Sequence, residues 1–100
     1  MWRLIGITLP QYKDWEKEKQ IIKTLLQNNE IEYFHIRKPV FTSMQMSLWL
    51  EDLPLAIRKR LSLHDCLEVA KEFQIGGVHL NKRNNYTAPF AFEGRISRSC

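Results

Sequence analysis

Polar side chains that could bind an anion follow four successive apolar segments of the chain. They are Thr8 after the first segment, His35, Arg37 and Lys38 at the end of the second, His64 and Asp65 after the third, and His79 and Asn81 after the fourth. The carboxyl ends of parallel strands meet at one edge of a sheet, where α/β proteins bind their ligands. A guanidinium beside an ammonium group at such an edge favours a phosphate or pyrophosphate, because both cations form charge-assisted hydrogen bonds. The pattern therefore indicates a site for a phosphorylated small molecule.

Arg37 lies on the polar face of the second apolar segment. Side chains alternate between the faces of a strand, so Tyr33, His35 and Arg37 share one face while Phe34 and Ile36 share the other. Pro39 cannot donate to a strand ladder, so the strand is predicted to end there. An arginine that points inward from a buried strand is costly without a partner, and a phosphate would satisfy it.

The elements that must position these groups alternate along the chain. The pattern predicts strands at residues 3–9, 31–38, 61–64, 78–80 and 95–100, and helices at 14–29, 43–53 and 65–75, with an extra turn at 55–60 and a loop at 81–93. Asp14 and Ser43 are the expected caps of the first two helices. Strict alternation of strand and helix predicts a parallel α/β sheet with right-handed crossovers. It is compatible with an open sheet and with a closed barrel.

Several of these polar residues also have ordinary structural explanations. Asp65, with Glu68 three residues later, fits the cap of the third helix, which is worth ~1 kcal/mol, and a capping carboxylate could also bind a metal. His79 could be a core histidine with an internal hydrogen bond. Lys82 and Arg83 extend the polar group that begins at Asn81, without a specific pattern. Residue types and spacing alone thus predict an α/β domain that binds a phosphorylated or pyrophosphorylated molecule, with or without a divalent cation.

Composition limits the other classes of function. One hundred residues are enough for one domain, and a net charge of +4 favours anionic ligands. The basic residues are scattered among acidic ones, so no nucleic-acid partner is expected. No apolar run is long enough for a membrane span, and no membrane partner is expected. Cys66 and Cys100 form no metal spacing or disulfide framework, which suggests a reduced, cytoplasmic setting.

Four motifs together resemble those of a known enzyme family. They are His35-Ile36-Arg37-Lys38-Pro39, Leu63-His64-Asp65, Gly76-Gly77-Val78-His79-Leu80-Asn81 and Ile96-Ser97-Arg98-Ser99-Cys100. Their order and spacing resemble those of the thiamine phosphate synthases and the related thiazole tautomerases. The resemblance implies a partial (β/α)8 TIM barrel of about five parallel strands with three helices. Residues 1–100 would form the N-terminal portion of a single barrel domain, whose open sheet edges would favour self-association.

The resemblance also implies a reaction and a role for each motif residue. The family joins hydroxymethylpyrimidine pyrophosphate to thiazole phosphate, giving thiamine phosphate and pyrophosphate, with Mg²⁺ as cofactor. It implies pyrophosphate binding by Arg37 and Lys38, placement of the pyrimidine by His35, substrate contacts from His64 and Asn81, a catalytic role for His79, and Mg²⁺ ligation by Asp65 and Asn84. Asn84 stands where the family has a second magnesium-binding aspartate, and a neutral amide holds this ion more weakly.

Two alternatives to the transferase remain open. The tautomerase relatives isomerise thiazole phosphate without a metal, and the change at Asn84 favours them. A non-catalytic phosphate-binding fragment is the third reading, because the barrel strands that would complete a thiazole-phosphate site are not among these residues. For the same reason, an isolated chain of these 100 residues is expected to be inactive.

Overall fold

The fold is a parallel sheet with its helices on one face, given by a computed structural model that describes residues 5–7, 14–27 and 31–99. The strands are β1 (Ile5–Ile7), β2 (Tyr33–Ile36), β3 (Leu61–Leu63), β4 (Gly77–Leu80) and β5 (Arg95–Arg98). They form one five-stranded sheet in the order β1-β2-β3-β4-β5, with every neighbouring pair parallel. The helices are α1 (Trp15–Gln27), α2 (Ser43–Leu50) and α3 (Leu55–Arg58), with single 3-10 turns at Leu67–Val69 and Lys82–Asn84. The predicted α/β class is confirmed.

Helix α1 begins where the sequence indicates. The Asp14 side chain accepts a hydrogen bond from the Lys17 amide at 3.0 Å, which satisfies one of the unpaired donors of the first turn. Ile22 and Leu26 are buried on its inner side. The predicted end of this helix near residue 29 lies outside the described residues, as does Thr8 after β1.

Helix α2 is capped by Thr42 rather than by Ser43, so that prediction is wrong by one residue. The Thr42 hydroxyl accepts from the Gln45 amide while the Gln45 side chain accepts from the Thr42 amide, a reciprocal capping box. Ser43 is already helical, and its hydroxyl donates to Glu68. The helix ends at Leu50, three residues before the predicted boundary, and α3 follows Pro54 as the short extra turn.

The third predicted helix, with Asp65 as its cap, is wrong. Cys66 adopts a left-handed conformation, with φ 55°, and only the 3-10 turn Leu67–Val69 follows it. The Asp65 carboxylate bonds to Lys38 and Arg83 rather than to amides of its own segment. A left-handed residue at the first position interrupts a right-handed helix before it can begin. Val69 and Ala70 are nevertheless buried, as the apolar spacing indicates.

The two faces of the sheet differ sharply in chemistry. The register places Phe34 beside Leu61 and Leu63 beside Val78 on the face that packs against the helices, and all four side chains are buried. The opposite face, here called the concave face, is polar. It carries Tyr33, His35, Ser62, His64, His79, Arg95 and Ser97, as their mutual contacts show. Alternation of faces along β2 is thus confirmed by its burial pattern.

Arg95 closes the amino end of the concave face. Its guanidinium donates to the Lys59 and Leu61 carbonyls at 3.0 and 3.1 Å and lies 3.9 Å from the centre of the Tyr33 ring. A Cβ at Gly77 would come within 3.2 Å of this guanidinium, so glycine leaves the space that Arg95 crosses. The carboxyl end of the sheet, where β1 to β4 finish, is therefore the end at which a ligand can bind.

The described elements leave both edges of the sheet open, β1 on one side and β5 on the other. Within residues 31–99, β5 pairs with β4 and with no strand beyond it, and Ile96 on β5 is 53% exposed. Self-association through such an edge stays a prediction. None of the helices in residues 14–27 and 31–99 is long and apolar enough to cross a membrane.

Candidate functional site

Three histidines from three consecutive strands meet on the concave face and are here called the histidine cluster. His35 lies in β2, His64 directly follows β3, and His79 lies in β4. His35 Nδ1 is 2.7 Å from His64 Nε2, so one ring donates a hydrogen bond to the other. The rings of His64 and His79 stack with 4.2 Å between their centres. The predicted convergence of these three residues is observed.

Each ring of the cluster is held in the neutral form. Burial is the main cause that lowers the pKa of His64, to about 3, and the charges of His79, His35, Arg83 and Arg37 lower it further. The pKa of His35 is lowered by burial and then by His79 and Arg95. The pKa of His79 is lowered by burial and by Arg83. At neutral pH the cluster therefore presents imidazole donors and acceptors rather than imidazolium cations.

His79 is oriented by two serines, one in the last strand and one directly after it. Its Nδ1 lies 2.7 Å from the Ser97 hydroxyl and its Nε2 lies 2.8 Å from the Ser99 hydroxyl. His79 thus has internal hydrogen bonds, as expected of a core histidine. It also lies at the polar rim, as expected of a site residue. The serines were missed as partners, although the alternation Ser97-Arg98-Ser99 places them on one face of a strand.

Arg83 is the main group at this site that sequence reasoning missed. Its Nε donates to Asp65 Oδ1 at 2.9 Å and one terminal nitrogen donates to Asp65 Oδ2 at 3.3 Å. Its positive charge lowers the pKa of both His64 and His79, so the guanidinium lies beside the histidine cluster. No local pattern marks it, because its partner Asp65 is eighteen residues away.

Arg37 lies at the same rim. The side chain is half-buried, and its charge contributes to the low pKa of His64. Two guanidinium groups, those of Arg37 and Arg83, therefore act on one buried imidazole. This is the arrangement of cations that the sequence indicates, although the second cation is Arg83 and not Lys38.

Lys38 is directed away from the concave face. Its side chain is 0% exposed, and its Nζ donates to Glu18 of α1 at 2.8 Å. The alternation of faces explains this, because Lys38 shares the parity of Phe34 and Ile36. Its amide donates to Asp65 at 2.9 Å. The structure thus places Lys38 in the packing of α1 against the sheet, and pyrophosphate binding by this ammonium group stays a prediction that the geometry does not favour.

Asn81 and Asn84 tie the ends of two strands together. Each side-chain oxygen accepts from the backbone amide of the other, at 2.9 and 3.1 Å, around the 3-10 turn. The Asn84 amide group donates to the carbonyls of His64 and His79, and that of Asn81 donates to the His64 carbonyl. These bonds fix the backbone of two cluster residues, so both asparagines position the site.

The oxygen groups at the rim do not fit Mg²⁺ as they stand. This ion requires oxygen ligands in near-octahedral geometry. The two oxygens of Asp65 accept three hydrogen bonds, two of them from Arg83, and the side-chain oxygen of Asn84 accepts the Asn81 amide. Among the described residues, the group of side chains with metal-ligand geometry is the histidine cluster, and imidazole nitrogen is not a ligand that Mg²⁺ prefers.

An open cleft of about 860 Å³ adjoins the rim. Its lining includes Ser43, Glu68, Arg83, Asn84 and Phe90. The cleft is large enough for a small heterocyclic ligand. Cys66 also lines it, but burial raises the pKa of this thiol to about 11, so it is not a thiolate nucleophile at neutral pH.

Comparison with known proteins identifies one similar solved structure. No protein-family model matches the chain, and no curated protein matches it significantly in sequence. The chain is similar to the crystal structure of thiamine phosphate pyrophosphorylase from Bacteroides thetaiotaomicron, with 30% identity and a TM-score of 0.85. The match covers 99% of this chain and 48% of that one, so the chain spans about half the length of that enzyme.

The similarity bears directly on the motifs quoted above. Thiamine phosphate pyrophosphorylase is another name for thiamine phosphate synthase, the family that those motifs resemble. A TM-score of 0.85 over almost the whole chain supports the predicted partial barrel. The assignment of residues 1–100 to the N-terminal portion of a larger barrel domain stays a prediction. The resemblance to the thiamine phosphate synthase family is thereby confirmed: this chain has the fold of part of such an enzyme.

Proposed function

We propose that the chain is part of a thiamine phosphate synthase-like transferase. The proposed reaction joins hydroxymethylpyrimidine pyrophosphate to thiazole phosphate and releases pyrophosphate. One observation carries the proposal: the Arg83 guanidinium is held on Asp65 beside three histidines from neighbouring strands, at the carboxyl end of a parallel sheet where Arg37 also lies. The similarity to a thiamine phosphate pyrophosphorylase supports it.

The arginines suit the departure of a pyrophosphate group. Breaking the bond between the pyrimidine methylene carbon and the pyrophosphate oxygen leaves the electron pair on a polyanion. Guanidinium groups bind phosphate oxygens through two parallel hydrogen bonds, and fixed cations stabilise charge that develops as the bond breaks. Arg37 and Arg83 are the residues to which we assign this role. Arg83 can turn from Asp65 towards a ligand in the adjoining cleft, since its side chain is 40% exposed.

The neutral histidines suit the heterocycle rather than the pyrophosphate. An uncharged imidazole can donate to a ring nitrogen or accept from an exocyclic amine. We assign pyrimidine placement to His35 and His64, and stabilisation of the rim to His79 through its serine partners. Because the oxygen groups do not fit Mg²⁺, no step of the proposed reaction is assigned to that ion. Lys38 and Asn81 support the site through the backbone.

Binding of pyrophosphate tests the proposal at the level of this chain. Loss of a charged hydrogen-bond donor costs about 1.5–3 kcal/mol, so the Arg37→Ala variant is expected to weaken pyrophosphate binding by about 10- to 150-fold in calorimetric titration. The matched control is Arg98→Ala, because Arg98 is exposed and stacks on Tyr86, away from the histidine cluster. Equal affinity of the Arg37 variant and the unaltered chain would contradict the anion site.

Turnover distinguishes the transferase from its alternatives. Pyrophosphate release from hydroxymethylpyrimidine pyrophosphate, dependent on thiazole phosphate, is expected of the transferase. The tautomerase reading is favoured by the engagement of Asp65 with Arg83, because that reaction needs no metal. It predicts isomerisation of thiazole phosphate in the presence of a chelator, without pyrophosphate release. Binding without either reaction, in a protein that carries the complete barrel, would identify a phosphate-binding module and refute both enzymatic proposals.

A further inference from the structure

We propose that the histidine cluster binds one divalent transition-metal ion, such as Zn²⁺ or Co²⁺, through three imidazole nitrogens, with a fourth position open for an anion. The inference goes beyond the transferase proposal and does not rest on it. It follows from the positions of His35, His64 and His79 on three neighbouring strands.

The distances are close to those of a three-histidine site. One ring nitrogen from each histidine lies within 4.8 Å of the other two, and the shortest separation is 2.7 Å, between His35 Nδ1 and His64 Nε2. Zinc–nitrogen bonds of ~2.1 Å in tetrahedral geometry place the ligand nitrogens about 3.4 Å apart. The close pair must therefore open by roughly 0.7 Å, and the wider pairs must close by up to about 1.4 Å. Side-chain rotations supply shifts of this size.

His79 has the surroundings typical of a metal ligand. A ligating histidine usually donates its second ring N–H to an oxygen, which fixes the orientation of the ring. Ser97 and Ser99 place a hydroxyl at each nitrogen of His79, so either nitrogen can turn to the metal while the other keeps its serine. Binding requires His79 to leave its stacked position on His64, since both rings must point a nitrogen at one ion.

The type of ligand selects the class of ion. Imidazole nitrogen suits Zn²⁺, Co²⁺, Ni²⁺ and Cu²⁺, whereas Mg²⁺ prefers carboxylate, carbonyl and water oxygens. The oxygens of Asp65 are engaged with Arg83 and Lys38, whereas one ring nitrogen of each histidine in the cluster lies within 4.8 Å of the other two. These side chains therefore fit a transition-metal ion bound through nitrogen rather than Mg²⁺ bound through oxygen.

The nearby cations determine what occupies the fourth position. Arg37 and Arg83 act electrostatically on His64 and oppose a bare divalent cation there. An anion bound to the metal and contacting a guanidinium offsets this repulsion. Three histidines with one open position are a common arrangement of catalytic zinc sites, in which the fourth ligand is water or substrate. Phosphate is therefore expected to strengthen metal binding.

Cobalt titration tests the site without interference from other histidines. The chain contains three histidines, all of them in the cluster. Adding Co²⁺ to metal-free protein is expected to produce the visible absorption bands of a tetrahedral ion, which Zn²⁺ then removes by competition. On addition of Zn²⁺, the NMR signals of all three imidazoles should shift together. Failure of the bands to appear, or a shift of fewer than three imidazole signals, would overturn the proposal.

Variants then separate the cluster from other sites. His79→Gln is expected to weaken Co²⁺ binding by more than about 10-fold. The double variant Ser97→Ala with Ser99→Ala, which removes both outer hydrogen-bond partners, should weaken it by about 10-fold or more. The matched control carries Cys66→Ser, which should retain full affinity. Equal binding by the His79 variant would assign the ion elsewhere. If inorganic phosphate leaves the Co²⁺ affinity unchanged, the open position beside the arginines is wrong.

The outcome is separable from that of the transferase proposal. Loss of pyrophosphate binding in Arg37→Ala with intact Co²⁺ spectra supports the anion site and the metal site together. A chain that binds pyrophosphate in the presence of chelator but shows no Co²⁺ spectrum retains the transferase proposal and refutes the metal site.

Discussion

Mild acid should destabilise this fold through His64. The pKa of His64 is about 3 in the folded chain and about 6.5 for an unperturbed histidine, so the unfolded chain takes up a proton first as the pH falls. Proton uptake by the unfolded state alone lowers the free energy of unfolding. Stability is therefore full above pH 6.5 and decreases as the pH falls from 6.5 towards 3. A decrease in stability on acidification is the change expected of a histidine that is buried in its neutral form.

The size of the effect follows from the distance below the unfolded pKa. At pH 5 the loss from His64 is about 1.5 pH units times 1.36 kcal/mol, or roughly 2 kcal/mol. This loss of unfolding free energy depends little on the pKa of His64 in the folded chain, provided that this pKa lies well below 5. His64 is 8% exposed, so solvent screens the effect only slightly. The lowered pKa values of His35 and His79 act in the same direction.

Urea unfolding between pH 7.5 and 5 provides the assay. The free energy of unfolding should fall by at least about 2 kcal/mol over this interval, before most carboxylates titrate. A His64→Asn variant keeps a hydrogen-bonding side chain and should lose the largest part of this slope. NMR titration of the His64 ring should show no protonation at pH 5. A flat stability profile, or a His64 ring that titrates near 6.5, would refute the account of the cluster as buried and neutral.

Three further substitutions test the buried polar contacts of the fold by urea unfolding. Lys38→Met should cost about 3–5 kcal/mol, because it leaves the Glu18 carboxylate buried without its ammonium partner, whereas the double variant with Glu18→Leu should recover most of the loss. Equal losses in the single and double variants would contradict this pairing. Arg60→Ala should cost at least about 2 kcal/mol, since its guanidinium donates to three backbone carbonyls. As its control, Lys59→Ala at a neighbouring exposed position should change stability by less than about 0.5 kcal/mol. Asn84→Ala should cost about 1–3 kcal/mol by leaving the His64 and His79 carbonyls with fewer donors; an unchanged midpoint would show that water replaces the amide.

The sequence was sufficient to predict the order of the strands and the face of the sheet that carries the chemistry. Both depend on local periodicity: alternation along β2 separates Phe34 from His35, and polar residues follow each apolar strand. The convergence of the three histidines follows from parallel topology alone, because neighbouring strands end at the same rim.

The misplaced residues depend on contacts between distant parts of the chain. Lys38 pairs with Glu18 twenty residues earlier, and Arg83 pairs with Asp65 eighteen residues earlier. Asp65 has the local sequence of a helix cap, but its carboxylate is taken by these distant partners, and Cys66 turns left-handed. Local sequence propensity favours one conformation over another, but contacts between distant residues determine which one forms. Arg83 could not be distinguished from an ordinary surface arginine for the same reason.

Ser97 in β5 and Ser99 directly after it connect an edge of the sheet to the histidine cluster. They hold opposite nitrogens of His79, and their strand has hydrogen-bonding groups on its outer side that a neighbouring segment can pair with. The outermost strand of the described sheet is thus also the one that orients a ring of the site, so the edge and the site share one structural element.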